Sequence, residues 1–194
     1  IIAWTGGRGL AVRSDGEGAS QDQTGSSLWT EMDRDKRYCD RGLQIENLYV
    51  KELLDESRNR GTQAFAAPND CPAIDAYAFD EGTGSAEYYD IFTLNPFLKT
   101  YSKNPAAISR EIKKHGKRLL ESETPDYLRD RSGLRVKRIV VLIVPENSGA
   151  NADEACENAR KELEAYHIDV KLIKGYGSYE EPAAETSSES DEAA

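Results

Sequence analysis

The chain has no long apolar run: the longest, Ile139 to Pro145, is the length of a buried strand and far short of the roughly 20 residues that cross a bilayer. A helical membrane span is therefore not expected. Histidine is also scarce. His115 and His167 are the only two, which leaves too little material for a mechanism or a zinc centre built on several imidazoles. The three cysteines, Cys39, Cys71 and Cys156, are odd in number and widely spaced, with no C-x-x-C pair. That pattern argues against a disulfide framework and against a structural zinc site. An initiator Met is missing, as is a charged segment leading into an apolar one at the start. The sequence therefore reads as a piece of something longer.

What is present is enough for one well-buried domain and short for two, at 194 residues with 31% charged and 38% hydrophobic side chains. The net charge of -10 is unevenly spread. From Tyr176 to Ala194 there are six acids (Glu180, Glu181, Glu185, Glu189, Asp191 and Glu192) and no base. Between Lys99 and Arg138 the balance reverses, with twelve bases against five acids, an excess of seven positive charges. A local excess of this kind is an electrostatic footprint for a polyanion, which the total charge conceals.

Residues 1–27 are rich in Gly, Ser, Asp and Gln without an apolar period, so they read as a flexible arm, from which Trp4 and Trp29 can dock on the body. Residues 28–175 read as a single α/β domain and residues 176–194 as a disordered acidic tail. From Arg41 to Arg58 the spacing of Ile45, Leu48, Tyr49 and Leu53 predicts an amphipathic helix, closed by Gly61. Thr62 to Ala67 is a short strand, followed by a turn at Pro68-Asn69-Asp70. Strands then run from Ala73 to Phe79 and from Glu87 to Leu94, joined by a hairpin over Asp80 to Ser85. Asn104-Pro105 opens a helix with Ile108, Ile112 and Leu119 on its apolar face, weakened by Gly116, and Glu121 to Ser132 reads as a polar loop. Val136 to Val144, an almost unbroken Val/Ile/Leu run, predicts a central strand buried on both faces. A helix capped by Asn151 or Asp153 and running through Tyr166, then a strand from Ile168 to Ile173, complete a parallel, right-handed βαβ unit.

Acids fall at telling places in this order. Glu46 lies on the first long helix, while Asp75 and Asp90 lie on the two paired strands. Carboxylates so placed hold a hard divalent cation such as Mg²⁺, which polarises a phosphodiester and activates water. Lys113, on the basic helix, is the expected cation that neutralises developing phosphate charge. Arg110, Lys114, Lys117 and Arg118 are the expected contacts to a nucleic-acid backbone. Each residue also has a plain structural reading. Glu46 fits a solvated helix face, Asp75 and Asp90 fit acids that protect sheet edges, and Lys113 and Lys114 fit the wet side of an amphipathic helix. His115 reads as a helix-surface residue, His167 as a helix-end cap, and Tyr88, Tyr89 and Tyr101 as packing.

The matching runs are Gln44-Ile45-Glu46-Asn47, Pro68-Asn69, Ile74-Asp75-Ala76-Tyr77 and Tyr89-Asp90-Ile91-Phe92, then Ile108 to Lys114 and Lys137 to Leu142. In that order, over residues 41–144, the sequence resembles the C-terminal nuclease toxins of bacterial contact-dependent inhibition and related polymorphic-toxin systems. The resemblance implies an α/β fold, a central mixed sheet flanked by helices, with a restriction-endonuclease-like core to which the βαβ unit is appended. It further implies a metal-dependent endonuclease cleaving RNA, expected to be tRNA, with Glu46, Asp75 and Asp90 as the acidic cluster on the metal and Lys113 as the helix-borne cation. An immunity protein as partner, and secretion or delivery into a target-cell cytoplasm as part of a larger protein, belong to the same implication. The Glu-x-Lys half of a restriction-type signature has no counterpart, because Ile91 and Phe92 follow Asp90. Two other readings remain open: a non-enzymatic interaction domain, and an acidic decoy or immunity-type protein of a phage or secretion system.

Overall fold

The computed structural model describes residues 27–67 and 71–181. The expected N-terminal arm with Trp4, the turn at residues 68–70 and the tail from residue 182 onward lie outside the described residues. The elements in chain order are α1 (Leu28–Arg34), α2 (Tyr38–Asn59), β1 (Gln63–Ala66), β2 (Ala76–Asp80), β3 (Ser85–Thr93), α3 (Lys99–Ser102), α4 (Ala106–Leu120), α5 (Asp126–Arg129), β4 (Arg135–Val144), α6 (Ala150–Leu163) and β5 (Ile168–Lys174).

The five strands form one mixed sheet in the order β1-β2-β3-β4-β5. The β1, β2 and β3 strands pair antiparallel, whereas β3, β4 and β5 run parallel, so β2 alone opposes the other four. Helices cover both faces. On one, Ile108, Ile112 and Leu119 of α4 and Ala152, Ala159 and Leu163 of α6 pack on Tyr88, Val140 and Leu142. On the other, Trp29 of α1 and Ile45, Tyr49 and Leu53 of α2 pack on Tyr89, Ile91, Val141 and Ile143. Being covered twice, β4 has no polar side, and every residue from Ile139 to Val144 is buried. The mixed α/β sheet flanked by helices is thus the architecture expected from the pattern, with β4, α6 and β5 as its closing parallel unit.

Several local expectations change. Leu48 turns outward, 43% exposed, because the buried stripe of α2 narrows to Arg41, Ile45, Tyr49 and Leu53. The expected polar loop at Glu121 to Ser132 contains α5, whose Leu128 is fully buried in the core on the α4 side of the sheet. Neither Asn151 nor Asp153 caps α6; its N-cap is Gly149, without a side-chain bond. Gly116 marks a close helix approach, since a Cβ there would meet Leu163 Cδ2 of α6 at 2.8 Å. His167 caps the short 3-10 turn at residues 164–166 that follows α6, as expected, in a left-handed backbone (φ 56°) with its N–H donating to the Glu164 carbonyl.

The two ends of the described chain meet. Ser27 caps α1 by accepting from Thr30 N–H, and its hydroxyl donates to the carbonyl of Ser178. Trp29, fully buried, donates from Nε1 to the carbonyl of Gly175 at 3.0 Å. Asn147 bonds both the N–H and the carbonyl of Tyr179, whose ring stacks on Phe97 at 5.4 Å. Residues 176–181, grouped by composition with the tail, therefore belong to the body. No described helix is long and apolar enough to cross a membrane.

Candidate active site

One helix, α2, and two strands, β2 and β3, bring acids to the carboxyl end of β3. Asp75 sits just before β2, pinned on both sides: its N–H donates to Tyr89 O (2.8 Å) and its carbonyl accepts from Ala67 N–H (2.8 Å). Its carboxylate then reaches β3, where Oδ2 accepts the Ile91 N–H at 2.6 Å. Asp90 lies one residue earlier on β3, fully buried on the α4 side of the sheet. It is held by two cationic or polar donors from α4. His115 Nδ1 lies 2.7 Å from Oδ1 and Arg118 donates to Oδ2 at 3.1 Å. An ionised carboxylate only accepts, so the contact places a hydrogen on His115 Nδ1. The His115 ring also stacks on Phe92, with centroids 3.9 Å apart and planes within 3°.

Glu46 arrives from the opposite face of the sheet. Gly42, one turn earlier on α2, lets the helix approach the end of β3 closely: a Cβ there would lie 3.2 Å from Thr93 Oγ1 and 3.3 Å from Glu46 Oε1. The Glu46 carboxyl accepts a hydrogen bond from the Thr93 backbone. A buried network fixes the segment that follows, with Asn95 donating from Nδ2 to Asp33 Oδ2 at 2.6 Å while the other Asp33 oxygen is paired with Arg41.

These acids feel one another. Burial, then the nearby Asp75 charge, push the Glu46 carboxyl up from 4.5 to about 7. Burial, then the Asp90 charge, push Asp75 up from 3.8 to about 6. The Ile91 N–H, Arg118 and His115 act on Asp75 in the opposite direction. The two carboxyls are coupled, the Asp75 charge raising Glu46. Two carboxyls that titrate near neutral pH, beside an imidazole and a guanidinium, make a site able to take and give protons.

Glu46, Asp75 and Asp90 are thus gathered, but Lys113 is not. Two residues from His115, it points about 160° away around the helix, and its Nζ bonds both oxygens of Glu162 on α6 at 3.0 Å. Arg118, expected only as a backbone contact, takes the place beside the acids. Arg110, Lys114 and Lys117 line the exposed side of α4, with Lys114 paired to Glu111. His115 was readable only as a surface residue. The one available signal was its spacing of three from Arg118, which puts both on the same helix flank. Asp90 has both oxygens engaged, and among the described residues no group of three or more His, Cys, Asp or Glu side chains is arranged to hold an ion.

No family model matches the chain, and no curated protein matches it. Among solved structures it is similar to a CdiA-CT/CdiI toxin and immunity complex from Yersinia pseudotuberculosis, with a TM-score of 0.41 and 16% identity over 57% of this chain and 88% of that one.

Proposed function

We propose that the chain is a toxin-type endonuclease that cleaves RNA phosphodiesters, tRNA among them, at the cluster of Glu46, Asp75, Asp90, His115 and Arg118. The observation that carries this reading is the convergence of three carboxylates from α2, the start of β2 and β3 with an imidazole–guanidinium pair from α4. The sheet order, in which β2 alone is reversed, agrees with a restriction-endonuclease-like core. An immunity partner and delivery by a larger protein follow from the motif resemblance alone.

Each residue has a distinct task. Arg118, half exposed at its side chain, reaches from the buried Asp90 toward solvent and meets the non-bridging phosphate oxygens, where its charge offsets what develops in the transition state. Asp90 fixes the directions of Arg118 and His115, as a carboxylate does for a catalytic imidazole. Glu46, near half-ionised at neutral pH, accepts a proton from the attacking water. His115, held on Asp90 through Nδ1, is the group that gives a proton to the leaving oxygen.

The donor set also fits Mg²⁺, which is commonly held by one or two carboxylates with water and phosphate completing its shell. Glu46 and the Asp75 oxygen not bound to Ile91 are the hard oxygens that would hold it, and the repulsion that raises both carboxyls is what a cation relieves. Bound there, the ion would supply Lewis-acid polarisation of the phosphate and a lowered pKa for its water.

The test is purified protein with tRNA, with and without Mg²⁺, comparing wild type with Asp90→Asn and Glu46→Gln on a denaturing gel. Both variants are expected to lose about a hundredfold or more in rate. No cleavage by wild type under either condition, or equal cleavage by all three proteins, refutes the proposal.

A further inference from the structure

A cleft of about 700 Å³ opens beside the acids, between the first two turns of α2 and the segment Thr93 to Tyr101. It shares Glu46 and Thr93 with the cluster just described, so whatever occupies it lies next to the reacting bond. Among the described residues, Glu46 is the only acid on its wall.

Four features of the cleft describe one kind of occupant. Tyr38, 40% exposed, and the half-buried Tyr101 give it aromatic walls. Lys99 is exposed at its edge. Arg41 is 96% buried, since only 4% of it is exposed, and although its NH1 is paired with Asp33, its Nε has no hydrogen-bond partner. Finally, α2, 22 residues long, begins at Tyr38 with no side-chain cap, and its first-turn residues Tyr38, Cys39 and Arg41 line the cleft, which puts the positive end of the helix dipole at it. An orphaned buried donor, a free-standing ammonium and an uncapped helix start favour an anion. The aromatic walls favour a flat ring beside it.

We propose that this cleft is the subsite for the nucleotide adjoining the scissile phosphate of single-stranded RNA. The nucleotide's own phosphate lies toward Lys99 and the start of α2, and its base lies against Tyr38 and Tyr101. The volume falls within the range of small-molecule sites. Stacking of this kind accepts any base but requires it to be unpaired, so the target is a loop or an end rather than a helix. The inference rests on the nuclease reading and names its substrate class.

The probe is a fluorescein-labelled eight-nucleotide RNA, measured by fluorescence anisotropy in the Asp90→Asn background so that it stays intact, with a blunt RNA duplex for comparison. A thermal melt of each protein verifies folding. Lys99→Ala is expected to weaken single-strand binding about fivefold and to reduce the salt slope by about one. Tyr38→Ala is expected to weaken it about tenfold and to erase the preference over duplex. Lys161→Ala, on the exposed side of α6, should change neither. Affinities within twofold of background for both cleft variants overturn the proposal, as does an equal loss with Lys161→Ala. The outcome separates from the nuclease reading. If wild type cleaves RNA and the cleft variants bind normally, the subsite fails and the nuclease stands. If binding depends on Lys99 but wild type cleaves nothing, the nuclease fails and the subsite stands as an RNA-binding site.

Discussion

Replacing Glu46 by Gln should make the protein more stable at neutral and alkaline pH, with a size that the site itself sets. In the folded chain Glu46 holds its proton to about pH 7, against an ordinary 4.5. Between those values the folded state binds more protons than the unfolded one, so stability falls as pH rises. The stability attributable to this proton is fully present below pH 4.5 and lost as pH passes 7. At about 1.4 kcal/mol per pH unit the gap has a ceiling of about 3 kcal/mol, and partial exposure of the carboxyl reduces this to about 2 kcal/mol. Gln is nearly isosteric, still accepts from the Thr93 backbone and never ionises. Urea denaturation of both proteins at half-unit steps from pH 4.5 to 8 reads the effect directly. The two curves should coincide at the acid end and diverge to about 2 kcal/mol in favour of Glu46→Gln by pH 8. Parallel curves, or a variant less stable than wild type at pH 8, would show that Glu46 is an ordinary solvated acid and that the cluster is not coupled.

Lys113→Ala should leave RNA cleavage within twofold of wild type and cost under about 1 kcal/mol in urea denaturation, because its partner Glu162 is exposed; a hundredfold loss of rate would return Lys113 to the site. Gly116→Ala should destabilise by about 1 to 3 kcal/mol despite the better helix propensity of Ala, since its Cβ would collide with the buried Leu163; a gain in melting temperature refutes the close contact between α4 and α6. Asp33→Ala strands the buried Arg41 and unfastens Asn95, and should cost about 3 to 5 kcal/mol by chemical denaturation. A loss below 1 kcal/mol would mean that this pair is solvated.

How far the sequence led depends on whether a signal is local. The strands β3 and β4, the hairpin between β2 and β3, and the apolar stripes of α2 and α4 all follow from spacing and turn chemistry within a few residues, and they stand where the pattern puts them. The pieces that were missed are tertiary. Leu128 is a lone leucine in a polar stretch, and only the core on the α4 side of the sheet gives it a place to be buried. Tyr176 and Tyr179 sit among residues of tail-like composition, yet their partners, Glu52 and Asn147, are far away in sequence.

The site divides along the same line. Asp75 and Asp90 were legible because acids beside apolar strand residues have few structural excuses, and the pairing that starts at Ala76 and Tyr89 extends through the Asp75 N–H bond to Tyr89 and so brings the two acids to neighbouring positions. The cation that serves them was not legible, because the basic face of α4 has Lys113 at one edge and Arg118 at the other and the sequence alone gives no reason to prefer either. The choice is made by which flank of α4 lies over β3 and which lies against α6. Small residues on the α6 side, Gly116 above all, draw that helix in and commit Lys113 to Glu162. The opposite flank, with His115 and Arg118, is thereby turned onto Asp90. Helix packing thus selects the electrophilic partner of the acids, and a change at Gly116 that rotated α4 would disturb the site from the far side of the helix.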